Sequence, residues 1–287
     1  MSAQAPEIKT DKGVDLEKKV IKIGALNDES GPALVIGKPY AAGKRILAAQ
    51  VNAGGSGLLP EGWKVELVEK DHGYNPQKSV QAYEEIKDDV LFIGTSFGTP
   101  PTLPLVPKLE QDKLVAMPAS LSSKMAENEF TPPVAPAYFF EAMRALDWAV
   151  ADAGGADKVM AGIVYQNDDY GQDGIYGLEA AAEKLGVKVV SKQSVTATQA
   201  DVTASIKALQ DAGANYVLLT VLPSKTGPIL GTAAQLKYMP KWIGNTPAWA
   251  DLFYAHEKLP SALFANFYLA TGVPFWGEES EGMKQFI

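Results

Sequence analysis

The residues most able to do chemistry lie in the segment "GTSFG", residues 94–98. This segment matches G-x-S-x-G, the nucleophile elbow of serine hydrolases, where a serine sits on a sharp turn between a strand and a helix. An apolar run precedes it and a helical pattern follows it. Ser96 is therefore a candidate nucleophile, and the alternative is a turn that holds a ligand without attacking it.

A serine nucleophile needs a histidine base that a carboxylate orients. The chain has two histidines, His72 and His256, and Asp251 lies near the second in sequence. Two prolines follow the motif directly, which predicts that the helix behind Ser96 does not start at once. A serine hydrolase with Ser96 as its nucleophile is therefore a remote alternative. We expect both histidines to be surface or loop residues.

Composition removes several other classes of function. The chain has no cysteine, and 26 Lys and Arg against 34 Asp and Glu give a net charge of −8. Such a balance argues against nucleic acid as a partner, and the missing thiols exclude zinc fingers and thiol catalysis. No strand is followed by G-x-G-x-x-G and no P-loop pattern occurs. We expect no metal and no cofactor.

The N-terminal segment "MSAQAPEIKT" carries a hint of export. "SAQA" has the small-x-small pattern of a signal-peptide cleavage site, here behind an initiator Met. Residues 1–19 are then a tail left after signal removal, and the protein is periplasmic or extracellular. An ordinary polar tail is the alternative.

Strand patterns and helix patterns alternate along the chain, which is typical of βαβ units and parallel sheets. The series runs once, restarts after a proline-rich seam at 131–138, and runs again. Strands are predicted at 20–26, 63–71, 90–94, 113–120, 158–166, 187–195, 214–221 and 240–247. The sequence thus predicts an α/β protein with two doubly wound lobes.

Small polar loops follow these strands, and ligands of open parallel sheets bind beyond the carboxyl ends of the strands. Helix N-termini in the same region carry unpaired N–H groups that suit an anion. The loops are rich in hydroxyls, backbone donors and aromatic side chains, without a catalytic set. They favour recognition of a small solute.

Several segments together resemble the type I periplasmic solute-binding proteins of ABC importers, in the Leu/Ile/Val-binding group. They include "KVIKIGALNDESGP", "KDHGYNPQKSV", "FIGTSFGTPPTLPLVP", "IVYQNDDYGQDG" and "GPILGTAAQLK". The resemblance implies two lobes joined by three hinge strands, with the N-lobe at 20–136 and the C-lobe at 137–270. Residues 271–287 would begin the return to the N-lobe, and the remaining C-terminal part would be missing.

The resemblance also implies a function and partners. A small-molecule ligand bound between the lobes closes them, and a membrane permease recognises the closed form. The protein would act as a monomer. A ligand-sensing module of the same fold is the second interpretation.

The resemblance implies that hydroxyls and backbone N–H groups after the third and fourth strands hold a carboxylate. The matching positions are Ser96, Gly98, Thr99, Ala119, Ser120, Leu121 and Ser122. The carboxylate half of the site is therefore expected to be complete.

The half of the site that would hold an ammonium is not expected to be complete. Relatives that bind amino acids place carboxylates at the positions of Tyr138 and Thr246, which supply no charge here. Tyr170, Leu222 and Trp249 complete an apolar and aromatic remainder. An ammonium removed from water needs a paired charge, so a carboxylate with an uncharged apolar or aromatic body is favoured.

Two alternatives stay open at this point. Asp168 or Asp169 could reach an ammonium and restore amino-acid binding, and Tyr138 and Trp249 could be core residues. Some relatives carry a disulfide at the positions of Tyr74 and Phe97, where an aromatic contact is expected here.

Overall fold

The structure, a computed structural model, describes residues 12–54, 59–255, 260–274, 277–279 and 281. The chain divides into two compact units. Unit 1 comprises the described residues within 1–31, 37–119 and 128–132, and unit 2 those within 32–36, 120–127 and 133–287.

The elements of the first part of the chain alternate between strand and helix, as predicted. They are β1 (Val14–Asp15), β2 (Val20–Asn27), α1 (Leu34–Asn52), β3 (Lys64–Asp71), α2 (Pro76–Ile86), β4 (Phe92–Phe97), α3 (Thr99–Thr102), α4 (Val106–Asp112), β5 (Ala116–Ala119) and α5 (Ser123–Ala126). A short 3₁₀ turn, Leu103–Leu105, joins α3 to α4.

The sheet of unit 1 is parallel except for β1. Strands β3, β4 and β5 follow from β2 in the order β3-β2-β4-β5, and the two-residue β1 pairs antiparallel with the start of β2. Tyr83 of α2, Leu109 of α4 and Ile93 of β4 are fully or almost fully buried in one cluster. Asn75 caps α2 by accepting from Lys78 N at 3.0 Å. This packing aligns the carboxyl ends of the parallel strands at one edge.

The second part of the chain repeats the pattern. Its elements are α6 (Tyr138–Ala153), β6 (Met160–Gln166), α7 (Asp169–Leu185), β7 (Lys188–Val195), α8 (Thr203–Asp211), β8 (Tyr216–Thr220), α9 (Pro223–Gln235), β9 (Lys241–Asn245), α10 (Leu252–Ala255) and β10 (Phe267–Ala270). The order in the sheet is β10-β9-β8-β6-β7, and every pair in it is parallel.

Helices cover both faces of this second sheet. Leu146 of α6 and Leu178 of α7 pack with Ile163 of β6 in one buried cluster. Ile206 of α8 and Ile229 of α9 lie in another. Strand β8 is buried along its whole length, and a strand buried on both faces is a continuous apolar run rather than an alternating one. Unit 2 is therefore doubly wound, as the sequence predicts.

The segment 120–127 groups with unit 2, whereas the predicted N-lobe extends to residue 136. The carbonyl of Leu121 accepts from Tyr138 N at 2.9 Å. Asp173 of α7 accepts from Ser123 N at 2.9 Å and from the Ser123 hydroxyl. Hydrogen bonds to α6 and α7 hold this segment, and no local sequence pattern shows them.

Candidate functional site

Ser96 lies inside β4 and is fully buried. Its hydroxyl is 2.7 Å from Thr102 Oγ1, and the Thr102 hydroxyl donates to the Ser96 carbonyl at 3.1 Å. The hydroxyl pair satisfies Ser96 within its own turn. Ser96 therefore lies in the strand and not in the turn, because β4 runs three residues beyond the end of the predicted strand at 90–94.

The start of the following helix also differs from expectation. Helix α3 begins at Thr99, directly after Gly98, and contains both Pro100 and Pro101. Proline is tolerated there because the first-turn N–H groups of a helix have no intrahelical acceptor. The prediction that the two prolines delay the helix is thus wrong. Whether Ser96 can be a nucleophile therefore depends on which side chains contact its hydroxyl.

The candidate base and acid of a hydrolase bond to residues other than Ser96 where the structure describes them. His72 is buried, its Nδ1 accepts from Tyr74 N at 3.0 Å, and burial lowers the pKa of its imidazole to about 4. Asp251 accepts from Trp249 Nε1 at 3.1 Å. His256 lies outside the described residues. In the described structure, the hydroxyl partner of Ser96 is Thr102 and not a histidine.

Gly98 gives the turn after β4 its shape. It has φ 87° and ψ 146°, a backbone conformation that side chains with a Cβ rarely adopt. Its N–H donates to Ala119 O at 3.1 Å, which ties the end of β4 to the end of β5. A Cβ here would meet the Tyr74 ring at 2.5 Å. The glycine thus lets a tyrosine ring lie directly on the backbone of the turn.

Tyr74 and Phe97 each pack on a neighbouring residue, and the ring contact expected between the two stays a prediction. Phe97 makes an edge contact with Tyr40, with ring centroids 6.0 Å apart, and Tyr74 packs on Gly98. Thr99 is buried beside this turn.

The residues predicted after β5 fall on both sides of the division into units. Ala119 ends β5 in unit 1, and Ser120, Leu121 and Ser122 belong to unit 2. All three of these are buried, and Ser122 N contacts Ser120 Oγ at 3.4 Å. The Ser122 hydroxyl has no hydrogen-bond partner among the described residues.

Tyr138 and Tyr170 come together in unit 2. Their ring centroids are 4.9 Å apart at 69°, and Leu121 packs with them. The Tyr170 hydroxyl lies 2.7 Å from Asn245 Oδ1 and 3.2 Å from Val221 O. This cluster joins the first turns of α6 and α7 to the carboxyl ends of β8 and β9. Leu222 follows β8 and is also buried.

Thr246 bonds to a carboxylate, Glu141, that no pattern in the sequence indicated as its partner. Glu141 accepts from Thr246 N at 3.0 Å and from the Thr246 hydroxyl, and is 4% exposed. Burial raises the pKa of the Glu141 carboxyl, and the bonds from Thr246 oppose that shift. Glu141 stands three residues after Tyr138, but only the packing of α6 shows that it reaches the end of β9.

The two aspartates considered for an ammonium both have partners. Asp168 caps α7, accepting from Tyr170 N at 3.0 Å and Gly171 N at 3.2 Å, and burial raises the pKa of its carboxyl. Asp169 pairs with Lys124. Both carboxylates therefore already have hydrogen-bond or ion-pair partners within the protein.

Trp249 packs in a different aromatic cluster from Tyr138 and Tyr170. It stacks on Phe267 with centroids 5.5 Å apart at 30°, and meets Phe253 and Phe264 edge-on. Trp249 is half-buried, and this packing holds the connection between β9 and β10.

The described residues lack two further features. None of their helices is long and apolar enough to cross a bilayer. They also hold no cluster of three or more His, Asp or Glu side chains arranged for a metal ion.

Two doubly wound parallel sheets, with polar and aromatic groups at their strand ends, define the class of type I periplasmic binding protein folds. The profile of the family described as "Periplasmic binding protein" matches residues 20–287. The chain belongs to this family.

Relatives and solved structures agree with that assignment. The Leu/Ile/Val-binding protein homolog 7 of Brucella suis biovar 1 (strain 1330) is 26% identical over 284 residues, covering 93% of this chain and 69% of the relative. A fatty acid ABC transporter substrate-binding protein from Thermomonospora curvata superposes with TM-score 0.88 and 25% identity, covering 97% of this chain and 70% of that one. A branched-chain amino acid ABC transporter protein from Thermus thermophilus with bound valine gives TM-score 0.82 at 21% identity, covering 93% and 69%.

Proposed function

We propose that this protein is an extracytoplasmic solute-binding protein that captures a small carboxylate and delivers it to an ABC importer. The match to the periplasmic binding protein family over residues 20–287 carries the proposal. Both groups of relatives, named for fatty acids and for Leu/Ile/Val, have ligands that combine a carboxylate with an apolar body. Export and a periplasmic or extracellular location follow from this role.

The turn after β4 is the proposed carboxylate site of unit 1. Gly98 gives this turn its shape, and helix α3 begins at Thr99 directly after it. The donors proposed for the anion are those of Thr99, because Pro100 and Pro101 have no N–H and Thr102 N donates to Gly98 O at 3.2 Å. Ser96 supports this turn from below, through its bond to Thr102, rather than gripping the ligand itself.

The strand ends of unit 2 favour an uncharged body on the ligand. Tyr138, Tyr170 and Leu222 are neutral, and the N–H and hydroxyl of Thr246 already bond to Glu141. An apolar or aromatic acid therefore suits these groups better than a zwitterion.

A hydrophobic amino acid is the second candidate ligand. The carboxylate of Glu141, one hydrogen bond away from Thr246, favours it, as does the Leu/Ile/Val name of the Brucella relative. A sensing module of the same fold would bind the same ligands without stimulating an importer.

Thermal unfolding of the purified protein with benzoate, hexanoate, hexanamide and leucine tests these assignments. A ligand at 100 times its Kd adds about 2.7 kcal/mol to the free energy of unfolding, which raises Tm measurably. We expect benzoate or hexanoate to raise Tm and hexanamide, which lacks the charge, to have little effect. A Tm rise with leucine alone would select the amino-acid candidate, and no rise with any carboxylate would contradict the proposed ligand class.

Delivery needs a separate measurement. In proteoliposomes that contain the importer, the ligand-loaded protein should stimulate ATP hydrolysis more than the ligand-free protein does. Ligand binding without stimulation would favour the sensing module.

A further inference from the structure

Tyr74 has a backbone conformation that a bulky residue rarely adopts. Its φ is 60°, in the left-handed region that disfavours side chains with a Cβ. The other described non-glycine residues with positive φ are Lys19, Lys113 and Lys237, and the last two end helices, where a left-handed residue is common. Tyr74 instead precedes a helix, next to the N-cap Asn75 of α2. Strain of this kind collects at ligand sites, so it calls for a functional explanation.

The side chain of His72 holds this conformation. His72 is buried, and its Nδ1 accepts from Tyr74 N at 3.0 Å. Its backbone is fixed as well, because its N–H donates to Asn27 O and its carbonyl accepts from Asn75 N, both at 3.0 Å. Burial lowers the pKa of the imidazole to about 4, so the neutral ring keeps Nδ1 as an acceptor. Tyr74 is therefore anchored through a buried side chain just after the end of β3.

The Tyr74 ring lies at the carboxyl edge of the first sheet, within unit 1. On one side of its loop, a Cβ added to Gly31 would lie 2.4 Å from the backbone of Gly73. On the other side, a Cβ added to Gly98 would lie 2.5 Å from the Tyr74 ring and 3.3 Å from Pro101 Cδ. These close contacts place the ring on the turn after β4. Tyr74 is nevertheless only half-buried, so part of it stays accessible.

We propose that Tyr74 contacts the ligand and selects carboxylates whose body is an aromatic ring, and that His72 positions it. This inference rests on the proposed function and narrows its ligand class to aromatic acids. Thr99, whose N–H is the proposed carboxylate donor, follows Gly98 directly, and consecutive Cα atoms are about 3.8 Å apart. A carboxylate at Thr99 therefore lies beside the residue on which the Tyr74 ring packs. An aromatic ring attached to that carboxylate can pack edge-to-face or offset-stacked on Tyr74, and an alkyl body cannot gain this interaction.

Benzoate and cyclohexanecarboxylate test the inference by calorimetric titration of the wild-type protein. Both carry a carboxylate on a six-membered carbon ring, and only the benzoate ring is aromatic. We expect benzoate to bind about 2- to 10-fold more tightly than cyclohexanecarboxylate. Benzoate that binds no more tightly than cyclohexanecarboxylate, including the case in which hexanoate alone binds, would overturn the inference and leave the proposed function in place. No binding of benzoate, cyclohexanecarboxylate or hexanoate would contradict the proposed function itself.

Variants assign the preference to Tyr74. Tyr74→Leu should bring the two acids to equal affinity, and Tyr74→Phe, which keeps the aromatic ring, should retain the preference. Tyr40→Leu is the matched control, because the Tyr40 ring is 44% exposed and lies edge-on to Phe97, next to the same turn. Its loss should leave the ratio of affinities unchanged. A preference that survives Tyr74→Leu, or that Tyr40→Leu abolishes, would overturn the assignment to Tyr74.

The role of His72 is tested through its acceptor. An asparagine side chain also accepts from the N–H two residues further on, so His72→Asn should keep the preference for benzoate, whereas His72→Leu should reduce it. The ratio of affinities separates positioning from stability, because a variant that only loses stability lowers Tm without changing which acid binds better. An unchanged ratio in His72→Leu would overturn the positioning role. The wild-type comparison of the two acids decides the ligand preference even if a leucine variant fails to fold.

Discussion

The hydroxyl of Ser96 lies 2.7 Å from the hydroxyl of Thr102, one turn further along the same strand-to-helix connection. This pair explains how G-x-S-x-G can occur without a nucleophile. Each hydroxyl satisfies the other in a buried turn, and the Thr102 hydroxyl donates back to the Ser96 backbone. The serine is there to close the turn.

Ser96→Ala should therefore change stability and not turnover. We expect the variant to lose about 1 kcal/mol of unfolding free energy, because the buried Thr102 hydroxyl loses a partner. Urea denaturation measures the loss, and hydrolysis of a p-nitrophenyl ester should be at background for both proteins. Turnover by the wild type that disappears in Ser96→Ala would contradict the binding-protein assignment.

Gly98→Ala should strain the turn after β4. The φ of 87° alone costs of order 1–3 kcal/mol for a residue with a Cβ. The new methyl carbon would also lie 2.5 Å from a carbon atom of the Tyr74 ring, which is a steric clash. We expect lower Tm and weaker binding of hexanoate. Adding Tyr74→Ala removes the clash but keeps the backbone strain, so recovery should be partial. Full stability in Gly98→Ala would show that the turn is more adaptable than this geometry allows.

Glu141 should make stability fall as pH rises above 4.5. Burial raises the folded-state pKa of its carboxyl above the ordinary value of 4.5, so the folded state holds its proton where the unfolded state has lost it. The contribution to stability is thus full below pH 4.5 and is lost as pH rises through the raised pKa. Urea denaturation of wild type and Glu141→Gln between pH 4 and 8 should show the difference in unfolding free energy moving in favour of the variant. A difference that is independent of pH would contradict the raised pKa.

Asp173 should control the attachment of the segment 120–127 to unit 2. Its carboxylate accepts from both the backbone N–H and the hydroxyl of Ser123. Asp173→Ala leaves that N–H without its acceptor, and we expect a loss of about 1–3 kcal/mol. Hydrogen exchange at Ser123 N should accelerate relative to β6. Ser123→Ala, which keeps the backbone bond, is the matched control and should retain slow exchange.

Much of the fold could be predicted because its signals are local. Continuous apolar runs of strand length, glycine at helix ends and the regular return of helical patterns each depend on neighbouring residues only. Gly154 and Gly186 end α6 and α7 at φ 72° and 71°, as their positions in the sequence indicate. A local rule gave a wrong prediction where the structure tolerates the residue in question. Pro100 and Pro101 were expected to delay the helix, but the first turn of α3 contains both.

The sequence by itself determined the α/β alternation, the restart after the seam and the strand ends at which polar side chains gather. Tertiary structure alone decided which of those side chains are already engaged. Glu141 reaches Thr246 across 105 residues, and Tyr170 reaches Asn245 across 75. These pairs form because separate helices pack on one sheet. The spacing of the residues along the chain does not indicate that packing, so the pairs could not be predicted.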